Sequence, residues 1–252
     1  MKREKNSFSK NAPVDLIYGW HAVRAVLSSG RRPLYRLYVI DAATKENLAP
    51  PACLPTEVKD RDYFKKRLGL DAVHQGVLLE AGPLEAPLLD EVLANPETRL
   101  VMVLDQVTDP HNLGAILRSC AAFGASALII PDRNSPDSRN PIIAKTASGA
   151  MENIPVVRVV NLNRALDDLK AAGFWCMGLD ERGDKDLDQM DLKGRVALVM
   201  GAEGSGLRRL TRESCDLLVR LPTNPAFPTL NVSVASAISL YEWQRQNRGA
   251  VD

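Results

Sequence analysis

Residues 99–118 read RLVMVLDQVTDPHNLGAILR, and this stretch decides the fold. Positions 100–104 are apolar without a break, which is how a strand buried on both faces is written. Asp109 and Pro110 then mark a turn. Beyond it Leu113, Ile116, Leu117 and Cys120 fall at i, i+3, i+4 and i+7, a helical core stripe. Gly124 closes that helix. A continuous apolar strand leading through a short turn into an amphipathic helix is the unit of a parallel α/β sheet.

The pattern repeats downstream. Residues 128–130 read as a strand and 141–150 as a helical stretch. Residues 156–160 are strand-like, and Leu162, Leu166 and Leu169 mark another helix. Residues 174–179, 196–200 and 217–221 are further strands. This alternation predicts an α/β domain over 99–252 with a largely parallel sheet.

Upstream, residues 14–82 read as a smaller α/β module. It has a short helix at 18–27, with Trp20 and Val23 or Ala22 and Val26 as apolar pairs. Strands are expected at 34–40 and 76–79, and a helix at 63–68. Residues 42–56 carry three prolines and little periodicity and read as loop. Pro83, Pro87 and Pro96 punctuate a linker placed at 83–98. Residues 1–13 are polar and basic, read as a disordered tail and carry no secretory signal.

The composition suits one large or two small domains. Of 252 residues 45% are hydrophobic and 25% charged, and no run approaches the roughly 18 apolar residues of a membrane span. Cys53, Cys120, Cys176 and Cys215 show no metal-ligand spacing, and His21, His74 and His111 are scattered. The expectation is a reducing, cytoplasmic setting and no metal. Residues 1–82 hold 14 Lys/Arg against 9 Asp/Glu, whereas the rest holds 18 against 22. A basic front module fits an anionic partner, and it fits a solvated basic face equally well.

Three clusters follow predicted strands, where open α/β sheets place their ligands. The first holds Asn112, read as an N-cap accepting from the backbone of Gly114 or Ala115, and Arg118, roughly 9 Å further up the helix. Gly114 between them is costly in a helix and implies a backbone that something approaches closely. The second is Gly201-Ala202-Glu203-Gly204-Ser205-Gly206-Leu207. Its G-x-x-G-x-G spacing supports neither a nicotinamide site nor a P-loop. Glu203 within it suits a cationic or hydroxyl-bearing ligand. The third runs from Leu221, Pro222 and Thr223 to Thr229, Leu230, Asn231, Val232 and Ser233. Asn231 reads as an N-cap. Val234, Ala237, Ile238 and Tyr241 read as the core stripe of the following helix. Leu240 and Trp243 read as a second apolar face that hints at a partner subunit. Taken singly, the first and third clusters read as helix caps and a surface arginine.

Together the three clusters resemble, in order, spacing and residue type, the motifs of the SpoU/TrmH family within the SPOUT class of RNA methyltransferases, over residues 99–247. In the front module, residues 18–23 and 74–77 resemble an L30e-like RNA-binding domain. The resemblance implies a deep trefoil knot and S-adenosylmethionine bound bent within it. It implies cofactor contacts from Met200, Gly201, Leu221, Thr223 and Leu230, and a catalytic set of Arg118, Asn112, Glu203, Thr229 and Asn231. It also implies a homodimer whose active site draws on both subunits, and an RNA substrate in the large ribosomal subunit. A tRNA ribose methyltransferase and a non-catalytic ribosome-assembly factor are the alternatives. The third motif departs from the family: residues 223–228 are proline-bearing instead of glycine-rich, and Thr229 stands where relatives carry Ser.

Overall fold

A computed structural model describes residues 13–224, 226–227 and 229–248. The expected tail at 1–13 lies, apart from Pro13, outside the described residues. The chain divides between Glu85 and Ala86 into two compact units.

The smaller unit runs β1 (Asp15–Tyr18), α1 (Trp20–Ser29), β2 (Leu34–Val39), α2 (Ala42–Leu48), β3 (Thr56–Val58), α3 (Arg61–Leu68) and β4 (Val77–Ala81). Its sheet order is β1-β4-β2-β3, antiparallel except for the β2/β3 pair. Phe64 from α3 is fully buried with Tyr18, Tyr38 and Leu78 on one sheet face. His74 stacks on Phe64 at 4.5 Å between ring centroids. Gln75 and His74 act locally: the Gln75 carboxamide oxygen accepts from Trp20 N at the start of α1, and His74 Nδ1 accepts from Gly76 N. The segment read as loop at 42–56 contains α2 and the first residue of β3. Asp41 caps α2 by accepting from Thr44 N. Leu48 is its one buried residue, so there was no apolar period to read, and the prolines lie beyond its end.

The larger unit begins with α4 (Leu89–Ala94), which occupies much of the stretch read as linker. Val92 is buried in the main core, with Leu89 and Leu93 against it. The Arg195 guanidinium pins this region, donating to the carbonyls of Leu93, Thr98 and Ala172 while lying 4.3 Å over the Phe174 ring. There follow β5 (Leu100–Leu104), α5 (Pro110–Ala122), β6 (Ala127–Pro131), α6 (Pro141–Ala147), β7 (Val156–Val159), α7 (Leu162–Ala171), β8 (Trp175–Leu179), β9 (Lys185–Asp186), β10 (Val196–Met200), α8 (Arg209–Ser214), β11 (Leu217–Arg220) and α9 (Val232–Asn247). The seven strands pair in the order β7-β6-β5-β10-β8-β11-β9, parallel throughout. The apolar runs of β5, β6 and β10 are buried along their whole length.

Two local expectations are corrected. The N-cap of α5 is Asp109, not Asn112. Its carboxylate accepts from His111 N, with Pro110 fixing the first turn, and Asn112 sits inside that turn with its side chain free for other work. The faces of α9 are also reversed. Leu240 and Trp243 are buried, while Val234, Ile238 and Tyr241 are each more than 40% exposed. The inner face escaped notice because it also carries Ser236 and Ser239. Their hydroxyls donate back to the carbonyls of Val232 and Ala235, so they are satisfied within the helix and can be buried.

Candidate active site

The site is built at the carboxyl ends of β8, β10 and β11. After β10 the chain turns through residues 201–206 as a small closed loop, in which Ala202 and Gly206 exchange backbone hydrogen bonds of 3.2 and 2.9 Å. A Cβ on Gly201 would lie 2.1 Å from the carbonyl carbon of Gly206 and 2.3 Å from Leu207 N, so only glycine lets the loop close on its own stem. Gly114 has a different explanation from a ligand. The object that approaches it is α6, whose Thr146 Cβ would be 2.6 Å from an added Cβ.

A cavity of about 1010 Å³ opens beside this loop. Met200, Gly201, Leu221, Thr223 and Leu230 all line it, as do Glu203, Thr229 and Asn231. Sequence reasoning missed a further wall, the turn after β8 that contributes Asp180, Glu181 and Arg182, together with Asp186 and Arg220. Asp180 faces Arg212 Nε at 3.1 Å, and Arg220 Nε donates to Asp186 at 2.7 Å. Those carboxylates are neutralised. Among the described residues Glu181 and Glu203 have no cationic partner. The only signal for this wall was its place just past a strand end.

Glu203 instead faces neutral amides. Asn112 Nδ2 is 3.5 Å from Glu203 Oε2, Asn231 Nδ2 is 3.3 Å from the same oxygen, and Asn231 Nδ2 also donates to Asn112 Oδ1 at 3.1 Å. Asn231 Oδ1 accepts from the backbone N (2.8 Å) and hydroxyl (2.6 Å) of Ser233, capping α9 as its sequence suggested. Three segments up to 119 residues apart therefore meet in one polar cluster. Arg118 lies on the exposed side of α5, is not among the cavity-lining residues, and has no hydrogen bond or ion pair among the described residues.

The residues fit a cationic cofactor such as S-adenosylmethionine. An apolar slot made by Met200, Leu221 and Leu230 adjoins two carboxylates without ionic partners, which suits a ligand carrying a sulfonium, an ammonium and a flat base. The cysteines have no place in this chemistry. Burial pushes the thiols of Cys120, Cys176 and Cys215 up to about 12. Among the described residues no group of three or more His, Cys, Asp or Glu could hold a metal ion.

Fold and site together are those of an α/β enzyme whose cavity at the carboxyl edge of a parallel sheet fits a cationic cofactor. The chain belongs to the SpoU rRNA methylase family of RNA 2′-O-methyltransferases, whose model matches residues 99–241. A second model, described as RNA 2′-O ribose methyltransferase substrate binding, matches residues 16–87. The chain is 40% identical to the 23S rRNA (guanosine-2′-O-)-methyltransferase RlmB of Pseudomonas putida, over 93% of this chain and 98% of that protein. It is 41% identical to RlmB of Vibrio parahaemolyticus, over 94% and 98%. Among solved structures it is similar to the SpoU methyltransferase AviRb of Streptomyces viridochromogenes in complex with AdoMet. The TM-score is 0.80 at 26% identity, over 93% of this chain and 90% of that one.

Proposed function

We propose that this chain methylates the 2′-hydroxyl of a guanosine ribose in 23S rRNA, using S-adenosylmethionine. The observation that carries this is the meeting of Asn112, Glu203 and Asn231 beside the glycine-loop cavity, in a chain similar to RlmB proteins over almost its whole length. When bound, S-adenosylmethionine supplies an electrophilic methyl group on a sulfonium.

The chain's own residues have three tasks. Backbone groups of Gly201, Leu221 and Leu230, with Met200 and Thr223, hold the cofactor, and the carboxylate of Glu203 adds attraction for its positive charge. The amides of Asn112 and Asn231 fix Glu203, and with the Thr229 hydroxyl they shape the seat of the ribose. Arg118 orients that ribose and steadies negative charge as its hydroxyl proton leaves. A guanidinium keeps its own proton across the physiological range, so Arg118 is a stabiliser and not the base, and the proton passes to an RNA phosphate.

In its own chain Arg118 does not line the cavity, which supports a homodimer in which each subunit lends Arg118 to its partner. The exposed face of α9, with Val234, Ile238 and Tyr241, is the proposed contact. Residues 14–82 form the RNA platform and 99–252 the catalytic domain, threaded as a deep trefoil knot, and the enzyme works in the cytoplasm. Among the described residues no helix is long and apolar enough to cross a membrane.

The test is transfer of labelled methyl groups from S-adenosylmethionine to transcripts of 23S rRNA and to tRNA, with 2′-O-methyl mapping of the product. Label at one guanosine of 23S rRNA is expected. Label in tRNA alone would reassign the substrate, and none in either would leave an RNA-binding factor. Light scattering of Ile238→Glu tests the interface, and an unchanged dimer mass would refute it.

A further inference from the structure

We propose that Arg208 is a phosphate-gripping residue for the RNA strand, aimed by the buried carboxylate of Asp105. The inference rests on the RNA-methyltransferase reading and assigns that site a second cation besides Arg118.

Asp105 closes β5 and is fully buried. Its backbone N donates to Met200 O at 2.8 Å, extending the β5/β10 pairing by one residue. Its carboxylate is spent on a single residue: Oδ2 accepts from Arg208 N at 3.0 Å and Oδ1 from Arg208 Nε at 2.7 Å. Arg208 lies two residues after Gly206, so this clamp ties the exit of the glycine loop to the strand that leads into Asn112.

The bond is side-on. It uses Nε and leaves the outer edge of the guanidinium, Nη1 and Nη2, with no partner among the described residues, on a side chain that is 46% exposed. The neighbouring arginines are engaged otherwise. Arg209 Nη1 donates to both oxygens of Glu213, Arg212 faces Asp180 and donates to the Leu207 carbonyl, and Arg220 is held by Asp186 and the Gly183 carbonyl. The Asp105–Arg208 pair is thus a dipole with its negative end in the protein and its positive end in solvent, beside the loop that carries Glu203. A rigid, outward pair of N–H donors is suited to the two free oxygens of a phosphodiester. A small cofactor already inside the cavity gives no use for such a donor edge outside it, whereas a polyanionic strand laid over the site does.

The test uses the full chain and a 23S rRNA transcript, with binding measured across a salt series. Arg208→Gln is the informative change, because the glutamine Nε2 falls where the arginine Nε was and can still donate to Asp105, while the outward charge is gone. We expect RNA affinity to fall about tenfold and the slope of log K against log salt to shrink by about 0.7–0.9, the value of one phosphate contact. Calorimetric affinity for S-adenosylmethionine should stay within about twofold. Arg208→Lys restores a charge and should restore the slope. If the single Gln change melts the fold, the double change Asp105→Asn with Arg208→Gln removes the buried charge along with its partner and gives the same readout. An unchanged salt slope in a folded Gln variant, with wild-type RNA binding intact, would overturn this proposal alone and reduce Arg208 to a brace for the loop. Failure of the wild-type chain to bind the transcript would overturn the RNA reading and this proposal together.

Discussion

Replacing Asn231 by Asp separates the structural duty of this residue from its chemical one. The side chain does two things at once. Its Oδ1 caps α9 by accepting from Ser233, and its Nδ2 faces Asn112 Oδ1 and Glu203 Oε2 at 3.1 and 3.3 Å. Aspartate keeps the cap, since a carboxylate at a helix N-terminus is as good an acceptor and is favoured by the helix dipole. It also turns the donor into an oxygen aimed at a second carboxylate. Two unit charges 3.3 Å apart repel by about 1 kcal/mol in bulk water and about 5 kcal/mol at an effective dielectric of 20. Glu203 is exposed, so the smaller figure is closer to the stability cost. The melting temperature should therefore fall by only about 2–4 °C. Turnover should drop about a hundredfold, the loss expected when groups that seat a substrate are displaced by about 1 Å. Asn231→Ala gives the complement, losing the cap as well and about 1 kcal/mol of stability with it. The assay is steady-state methyl transfer to rRNA beside thermal melts of each variant. Wild-type turnover in Asn231→Asp at neutral pH would remove the three-residue cluster from the mechanism.

Further consequences are independent of that cluster. Gly201→Ala forces a Cβ to within 2.1 Å of the Gly206 carbonyl carbon, so the loop cannot keep its shape. Binding of S-adenosylmethionine by calorimetry should be lost, and binding retained within threefold would contradict the closed loop. Arg195→Ala strips partners from three carbonyls, which at about 1–2 kcal/mol each predicts a loss of about 3–6 kcal/mol in urea unfolding. A loss below 1 kcal/mol would show the clamp to be idle. Thiol reactivity follows burial. Folding raises the pKa of Cys120, Cys176 and Cys215 to about 12, so these stay protonated and inert at pH 8, and only exposed Cys53 should react fast with a disulfide reagent. More than one fast thiol in the native protein would refute this.

The parts of the molecule that sequence exposes and hides follow from where each residue obtains its stabilisation. The runs at 100–104 and 196–200 are legible because both faces of a central parallel strand are buried, so every position must be apolar. The helix α2 is hidden because it is held by a cap and one leucine, which leaves no period to count. The error on α9 has the same root in reverse. Its inner face substitutes two self-bonded serines for apolar residues, while Val234, Ile238 and Tyr241 carry a helical stripe that is exposed in the single chain. An amphipathic pattern reports which face avoids water in the working assembly, and an apolar stripe left outside by the fold is itself a reason to expect a second subunit there.

The site divides along the same line. The glycines announce themselves, because a missing Cβ is a local property that a one-dimensional string records. The pairings do not, since Asn112 finds Glu203 and Asn231 across separations of 91 and 119 residues, and Asp105 finds Arg208 across 103. The two asparagines each had a sufficient local explanation as a helix cap, and for Asn112 that explanation was wrong. Asp109 and Pro110 had already supplied the cap. A polar residue just inside a helix whose end is satisfied by someone else has its hydrogen bonds available for long-range use. In this chain that surplus is what brings the first motif to the other two, at the carboxyl edge of β10.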